Sequence, residues 1–225
     1  MALPNIYEAL ETHATAGARQ QAVNALIEHF EQAEQYHEMF EALKMSMRLE
    51  LGLPAAQAEF EEKLDEDREL QLEQGLLKAC RRVGELFLKQ GKIREGWMYM
   101  RPVGDRAIAA QSLATVEPND ENVDDLLEVL VHEGVDIRRG YALALARMGT
   151  CNSITLFESA LAPRPRADQQ VAADLLVRHV HGELLENLRR DIERREGVAP
   201  EGETLEQLLS SRPVGSPHLV RPPPR

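Results

Sequence analysis

Cysteine is scarce in this 225-residue chain: only Cys80 and Cys151 occur, far apart in sequence. No CxxC pair exists, so neither a zinc knuckle nor a thioredoxin-type motif is indicated. Two isolated thiols make no disulfide framework and suit a reducing cytoplasm. Aromatic residues are only 4% of the chain, fewer than a packed β protein draws on. No apolar run approaches the length of about 18 residues that a membrane-spanning helix needs. The N-terminus has no basic region leading into an apolar segment, so it does not read as a secretory signal. Positive charge is also short. Lys and Arg total 26 against 38 Asp and Glu, a net charge of −12, and phosphate binding asks for a basic face. A nucleic-acid partner is therefore not expected. The strings that mark dinucleotide, P-loop, serine-hydrolase, zinc-protease and EF-hand sites are all missing, and no motif calls for a cofactor or metal.

Helix formers dominate what is present. Hydrophobic residues make up 43% of the chain, in the globular range, and Ala, Leu, Glu, Gln and Arg are abundant. The acidity is an N-terminal feature: residues 1–80 carry 16 acids against 6 bases, whereas residues 161–225 balance at 10 of each. A solvated helix surface accounts for it.

Periodicity and breakers divide the chain into helices. Asn5 caps a first helix that runs to Thr15 and breaks at Gly17. A second starts near Ala18, with Ala22, Val23, Leu26, Ile27 and Phe30 at helical spacing. A third runs from Gln35 to Leu51, closed by Gly52 and Pro54. Residues 55–75 are helix-compatible but strongly acidic, so a helix with an exposed, frayed middle is expected there. Leu76, Cys80, Val83 and Phe87 then form an apolar face ending at Gly91. Shorter helices follow over 92–101, 104–116, 120–132 and 136–148. Gly149 to Ser153 reads as a tight connection, and Asp168 caps a long helix over 168–196. Thr204 and Gln207 make a capping box for a last short helix. The stretch 211–225 holds five prolines and no acid and reads as a disordered tail.

One internal echo stands out. Gly91-Lys92-Ile93-Arg94-Glu95-Gly96-Trp97 is answered by Gly134-Val135-Asp136-Ile137-Arg138-Arg139-Gly140-Tyr141, one residue longer. The second glycine of each copy suits a close approach of two helices. With Gly84, Phe87, Gly91, Gly96 and Tyr99 or Met100 at the appropriate spacings, the chain resembles the tetratricopeptide family of helical hairpins. Leu127, Leu130, Gly134 and Gly140 give a poorer copy, and Ile27, Phe30, Tyr36, Met39 and Leu43 an outline of a third. The first-helix aromatic is replaced by Cys80, and the family's closing proline is absent. The resemblance spans roughly residues 18–148 and implies an all-α, helical-hairpin repeat (an α-solenoid), with a HEAT-like array as the neighbouring alternative. The expected organisation is a repeat domain over 1–162, a helical segment over 163–210 that packs on or caps it, and the tail over 211–225.

Three groups of residues are candidates for chemistry. Lys78, Arg81, Glu85 and Lys89 recur at i, i+3, i+7 and i+11. By the resemblance they line a concave face, where Lys78, Arg81 and Lys89 bind an acidic peptide. His179 and Glu183 stand at i and i+4, a start on a metal site but too few ligands for one, with a solvated helix face as the plain alternative. Cys151, near a helix start, is a candidate reactive thiol if His132 or His179 lies near it, and otherwise a small residue in a capped turn. Met39, Met45, Met47, Met98, Met100 and Met148 read mostly as core filler, and Trp97 as a packing anchor. The expectation is a cytoplasmic, non-catalytic protein-binding module or scaffold. The alternatives are an enzyme or ligand-binding protein that uses Cys151, or a piece of a longer protein.

Overall fold

The computed structural model describes residues 6–56, 64–198, 200–201 and 204–210. Asn5 and the 211–225 stretch thus lie outside the described residues. All described secondary structure is helical: α1 (Ile6–Thr15), α2 (Arg19–Gln32), α3 (Tyr36–Glu50), α4 (Glu66–Lys89), α5 (Ile93–Met100), α6 (Arg106–Leu113), α7 (Val123–Leu127), α8 (Ile137–Leu156), α9 (Arg166–Glu196) and α10 (Leu205–Ser210). A 3₁₀ turn covers Arg101–Val103, and π-helical segments cover Glu128–His132 and Phe157–Leu161. No described helix is long and apolar enough to cross a membrane. The chain forms two compact units, 1–136 and 137–225; this division falls inside the second copy of the internal echo, upstream of the boundary expected at 162.

In the first unit each of α1 to α5 packs on its neighbour in sequence, and α4 also meets α6. The core joins Val23 and Ile27 of α2, Tyr36, Met39 and Ala42 of α3, Val83 and Phe87 of α4, and Tyr99 of α5. The helix ends follow from local chemistry. At Gly91 the backbone is left-handed (φ 75°), and Gly91 N and Lys92 N donate to the carbonyls of Leu88 and Phe87, both at 3.0 Å, the six-residue cap that glycine favours. The same cap closes α2 with Glu34 in the glycine's place, at φ 57°, where Gln35 N reaches Phe30 O at 2.8 Å. Sequence gave no warning of it, since a Cβ disfavours this backbone.

Helix α4 opens later than the acidic stretch suggested. Pro54 follows a turn, Asp65 accepts from Arg68 N at 2.9 Å, and Glu66, Asp67 and Glu69 fill the first turn, where the helix dipole favours them. Residues 57–63 lie outside the described residues. Gly84 and Gly96 face each other where α4 meets α5. A Cβ built on Gly84 would stand 3.0 Å from Gly96 O, and one on Gly96 3.1 Å from Gly84 O.

The second unit is a hairpin of α8 on α9, with the Phe157–Leu161 segment against both. The expected connection at 149–153 proves to be a kink at a single residue. Gly149 adopts φ 74° and ψ 175° inside α8, and the helix resumes beyond it. Asn152 Nδ2 donates to Met148 O across the kink at 3.0 Å. Asp168 does not cap α9; Pro165 holds that position, and Asp168 accepts from Arg164 Nε at 3.1 Å within the first turn. The capping box is present in both directions, Gln207 N to Thr204 Oγ1 at 3.2 Å and Thr204 N to Gln207 Oε1 at 3.1 Å.

Candidate functional site

A cleft of about 430 Å³ lies between α3 and α4 in the first unit. Leu43 and Met47 of α3, Leu51 just past its end and Ala79 of α4 make its apolar surface. Gln71, Gln74, Lys78 and Arg82 line it from α4, and Ser46 and Glu50 from α3. These α4 positions recur every three or four residues, so they form one face of the helix. Gly75 sits among them because a Cβ there would collide with the Met47 side chain.

The polar groups are partly committed. Gln20 Nε2 donates to Ser46 Oγ at 2.7 Å, and Ser46 Oγ to Glu50 Oε1 at 3.4 Å. Arg82 Nη2 reaches Glu31 Oε2 of α2 at 2.8 Å. Lys78 is exposed and has no ion pair among the described residues. Among the described residues the cleft thus offers an apolar floor, two primary amides without a partner and an unpaired ammonium. That set can take an aliphatic side chain, hydrogen-bond a peptide backbone and pair with a carboxylate.

Beyond the cleft the same helices are joined by aromatic rings. Tyr36 and Phe87 meet edge to face at 5.2 Å, Phe40 and Tyr99 at 5.0 Å, and Phe87 and Tyr99 stack at 5.8 Å. His37 Nδ1 and Tyr99 Oη share a hydrogen bond at 2.8 Å. Burial, with Glu41, Cys80 and Glu38 nearby, pushes the Tyr99 phenol above its ordinary value. Burial, with Glu34 and Glu31, does the same to Tyr36. Burial alone raises the Cys80 thiol, so this cysteine is not an activated nucleophile.

The basic stripe is split. Lys78 lines the cleft, but Arg81, Glu85 and Lys89 do not. Arg81 Nε turns instead to Glu85 Oε1 on its own helix at 2.8 Å. Lys89 is exposed in the last turn of α4, about 16 Å along the axis from Lys78 at 1.5 Å per residue. The residue overlooked was Arg82, one turn beyond Lys78; the i, i+4 spacing was the available signal.

The other candidates do not assemble. Cys151 is exposed and makes no side-chain hydrogen bond among the described residues. His132 belongs to the other compact unit. His179 Nε2 lies 3.5 Å from Glu183 Oε1, an ion-pair distance, and finds no hydrogen-bond partner among the described residues. Glu183 accepts from Thr150 Oγ1 at 2.5 Å, tying α9 to α8. No group of three or more His, Cys, Asp or Glu that could hold a metal occurs among the described residues. Met39 and Met100 are buried as expected, whereas Met98 and Met148 are exposed. Trp97 is half-buried and lines a second cleft with Met100, Arg101, Gly104, Asp105, Arg106 and Glu133.

The chain matches no protein-family model, and comparison with curated proteins and with solved structures returns no match either.

Proposed function

We propose that the first unit is a polypeptide-binding module that receives an extended segment in the cleft between α3 and α4. The observation that carries this reading is the cleft's lining: an apolar floor from Leu43, Met47, Leu51 and Ala79, beside the amides of Gln71 and Gln74 and the ammonium of Lys78, which is unpaired among the described residues. The preferred segment carries an aliphatic side chain next to an acidic one. The tetratricopeptide resemblance supports the same reading, since Gly84 and Gly96 make the close helix contact that such a hairpin uses. On this view the helices of 18–148 form degenerate repeats. The setting we propose is the cytoplasm, in keeping with two free thiols, one of them exposed. No arrangement around Cys151 favours the enzymatic alternative.

Selection of extended peptides from a display library on the full chain, followed by titration of those recovered, tests the proposal. Recovered sequences are expected to be rich in Asp or Glu next to Leu, Ile or Met. Lys78→Glu should weaken them about tenfold, 1.4 kcal/mol, while Arg81→Glu, outside the cleft, leaves affinity unchanged. Equal effects of the two variants, or no enriched sequence, would sink the cleft as the site.

A further inference from the structure

The first unit holds a second cleft, separate from the one between α3 and α4. It has a volume of about 320 Å³ and is lined by Trp97 and Met100 of α5, by Arg101 and Gly104 of the turn that follows, by Asp105 and Arg106 at the start of α6, and by Glu133. Local chemistry builds it. A 3₁₀ turn covers Arg101–Val103, and Gly104, left-handed at φ 73°, closes it with its N–H on Arg101 O at 3.2 Å. The chain then enters α6 under the Asp105 cap, which sets Arg106 in the same cleft as Trp97. All of these residues lie inside one compact unit.

The polar groups of the cleft are unequally engaged. Asp105 Oδ1 accepts from Ala107 N at 3.0 Å and from Ile108 N at 3.1 Å. Glu133 Oε1 faces Arg101 Nη2 at 3.6 Å. The exposed guanidinium of Arg106 has no ion pair or hydrogen bond among the described residues. The indole N–H of Trp97 is buried and finds no acceptor among the described residues. A donor in that position costs the fold stability, because its bond to water is lost and not replaced. Both acids are thus engaged, and the two groups left without a partner are both donors. Such a remainder calls for a ligand that accepts hydrogen bonds and carries negative charge.

We propose that this cleft binds a small molecule by its oxyanion, a carboxylate or a phosphoryl group. The Arg106 guanidinium holds the anion, with Arg101 beside it and Trp97 as the wall. A guanidinium presents parallel N–H groups that match two oxygens of either anion. Arg101 can share the charge, since it is 68% exposed and its tie to Glu133 is long. The indole N–H reaches a ligand oxygen after a side-chain adjustment of the kind that binding commonly brings. The volume is at the small end of ligand cavities, so the occupant is a small molecule and not a chain segment.

Trp97 is the chain's single tryptophan, so its fluorescence reports on this cleft alone. The full chain is titrated with sodium phosphate and separately with sodium acetate, each against sodium chloride at matched ionic strength. The expected result is a saturable change near about 1 mM, the affinity scale of so small an ion. Saturation by phosphate alone assigns a phosphoryl ligand, by acetate alone a carboxylate, and by both an oxyanion of either kind; each supports the proposal. Arg106→Gln should weaken binding about tenfold or more, with helicity unchanged because the side chain is exposed. Arg94→Gln, on α5 but outside the cleft, should leave the titration intact. No saturable change with either anion up to about 50 mM, a change that chloride reproduces, one that survives Arg106→Gln, or one lost equally in Arg94→Gln overturns the proposal.

Discussion

Gly75, Gly84, Gly96 and Gly182 lie inside helices in different surroundings, and alanine at each should act with a sign that packing alone decides. Alanine in a helix gains about 0.5–1 kcal/mol over glycine, because less backbone freedom is lost on folding. Gly182 of α9 receives that gain undiminished: a Cβ there meets nothing within 4 Å. Gly84 and Gly96 do not. A Cβ on Gly84 stands 3.0 Å from the Gly96 carbonyl oxygen and 2.7 Å from Met100 Cγ, and one on Gly96 stands 3.1 Å from the Gly84 carbonyl oxygen. Met100 can shift, but the carbonyls cannot move without parting α4 from α5. Overpacking of this kind costs about 1–3 kcal/mol. The net expectation is destabilisation by about 1–2 kcal/mol for Gly84→Ala or Gly96→Ala, and stabilisation by about 0.5–1 kcal/mol for Gly182→Ala. Gly75→Ala falls between, because its collision is with the flexible Met47 thioether.

Urea unfolding followed by circular dichroism reads these differences, with the two compact units fitted as separate transitions. The Gly84 and Gly96 variants should shift the transition of 1–136, and Gly182→Ala that of 137–225, in the opposite direction. The double variant Gly84→Ala/Gly96→Ala should cost less than the two singles combined, because one substitution already parts the helices that the other would part. A Gly84→Ala protein as stable as the parent would refute the reasoning, since α4 and α5 could not then be in backbone contact.

Two further outcomes follow from buried groups. Burial raises the phenols of Tyr36, Tyr99 and Tyr141 above their ordinary value near 10. The folded chain therefore holds protons that the unfolded chain gives up: this stabilisation is complete below about pH 9 and is lost as pH rises through 10 and beyond. Phenolate absorbance near 295 nm should lag behind that of the urea-unfolded chain, and coincident titrations would contradict it. Ser153 is fully buried and its hydroxyl has no partner among the described residues. Ser153→Ala should raise stability by about 1–2 kcal/mol in the same urea assay, and a loss would show that the hydroxyl is satisfied.

Sequence patterns carried the helices well wherever a breaker and an apolar period agreed, as at Gly52, Gly91 and the Thr204–Gln207 box. They pointed to a close helix approach at Gly96, because only a residue without a Cβ fits one, though not to Gly84 as the residue it meets. They failed where the deciding partner is distant in sequence. Nothing in the spacing of Lys78, Arg81, Glu85 and Lys89 says where the cleft ends. Arg81 is turned about 60° from Lys78 around the axis, and Lys89 lies three turns along it. Arg82 joins the site only because α3 lies opposite, and its tie to Glu31 crosses 51 positions. The apolar face of α9 at Val177, Val180 and Leu184 was open to a count of spacings. Its exposure was not, because a helix face reads the same whether a neighbour covers it or not.

The few aromatic rings explain how α3 and α4 can be rigid and still present a cleft. Tyr36 and Phe40 lie near the start of α3 and Phe87 near the end of α4, where Tyr99 of α5 joins them. The cleft is lined by the later part of α3 from Leu43 to Glu50, by Leu51 just past it, and by the earlier part of α4, from Gln71 to Arg82. Ring contacts add about 0.5–1.5 kcal/mol per pair beyond simple burial, so they fix the helix pair at one end. The other end is built from Leu, Met, Gln and Lys, whose unbranched or mobile side chains repack at low cost. For the binding function proposed, that division sets the character of recognition. The floor adapts to any aliphatic side chain of similar size, so discrimination falls to Lys78 and to the peptide backbone. Segments that differ in their apolar residue should bind alike, and segments that lose their acid should not.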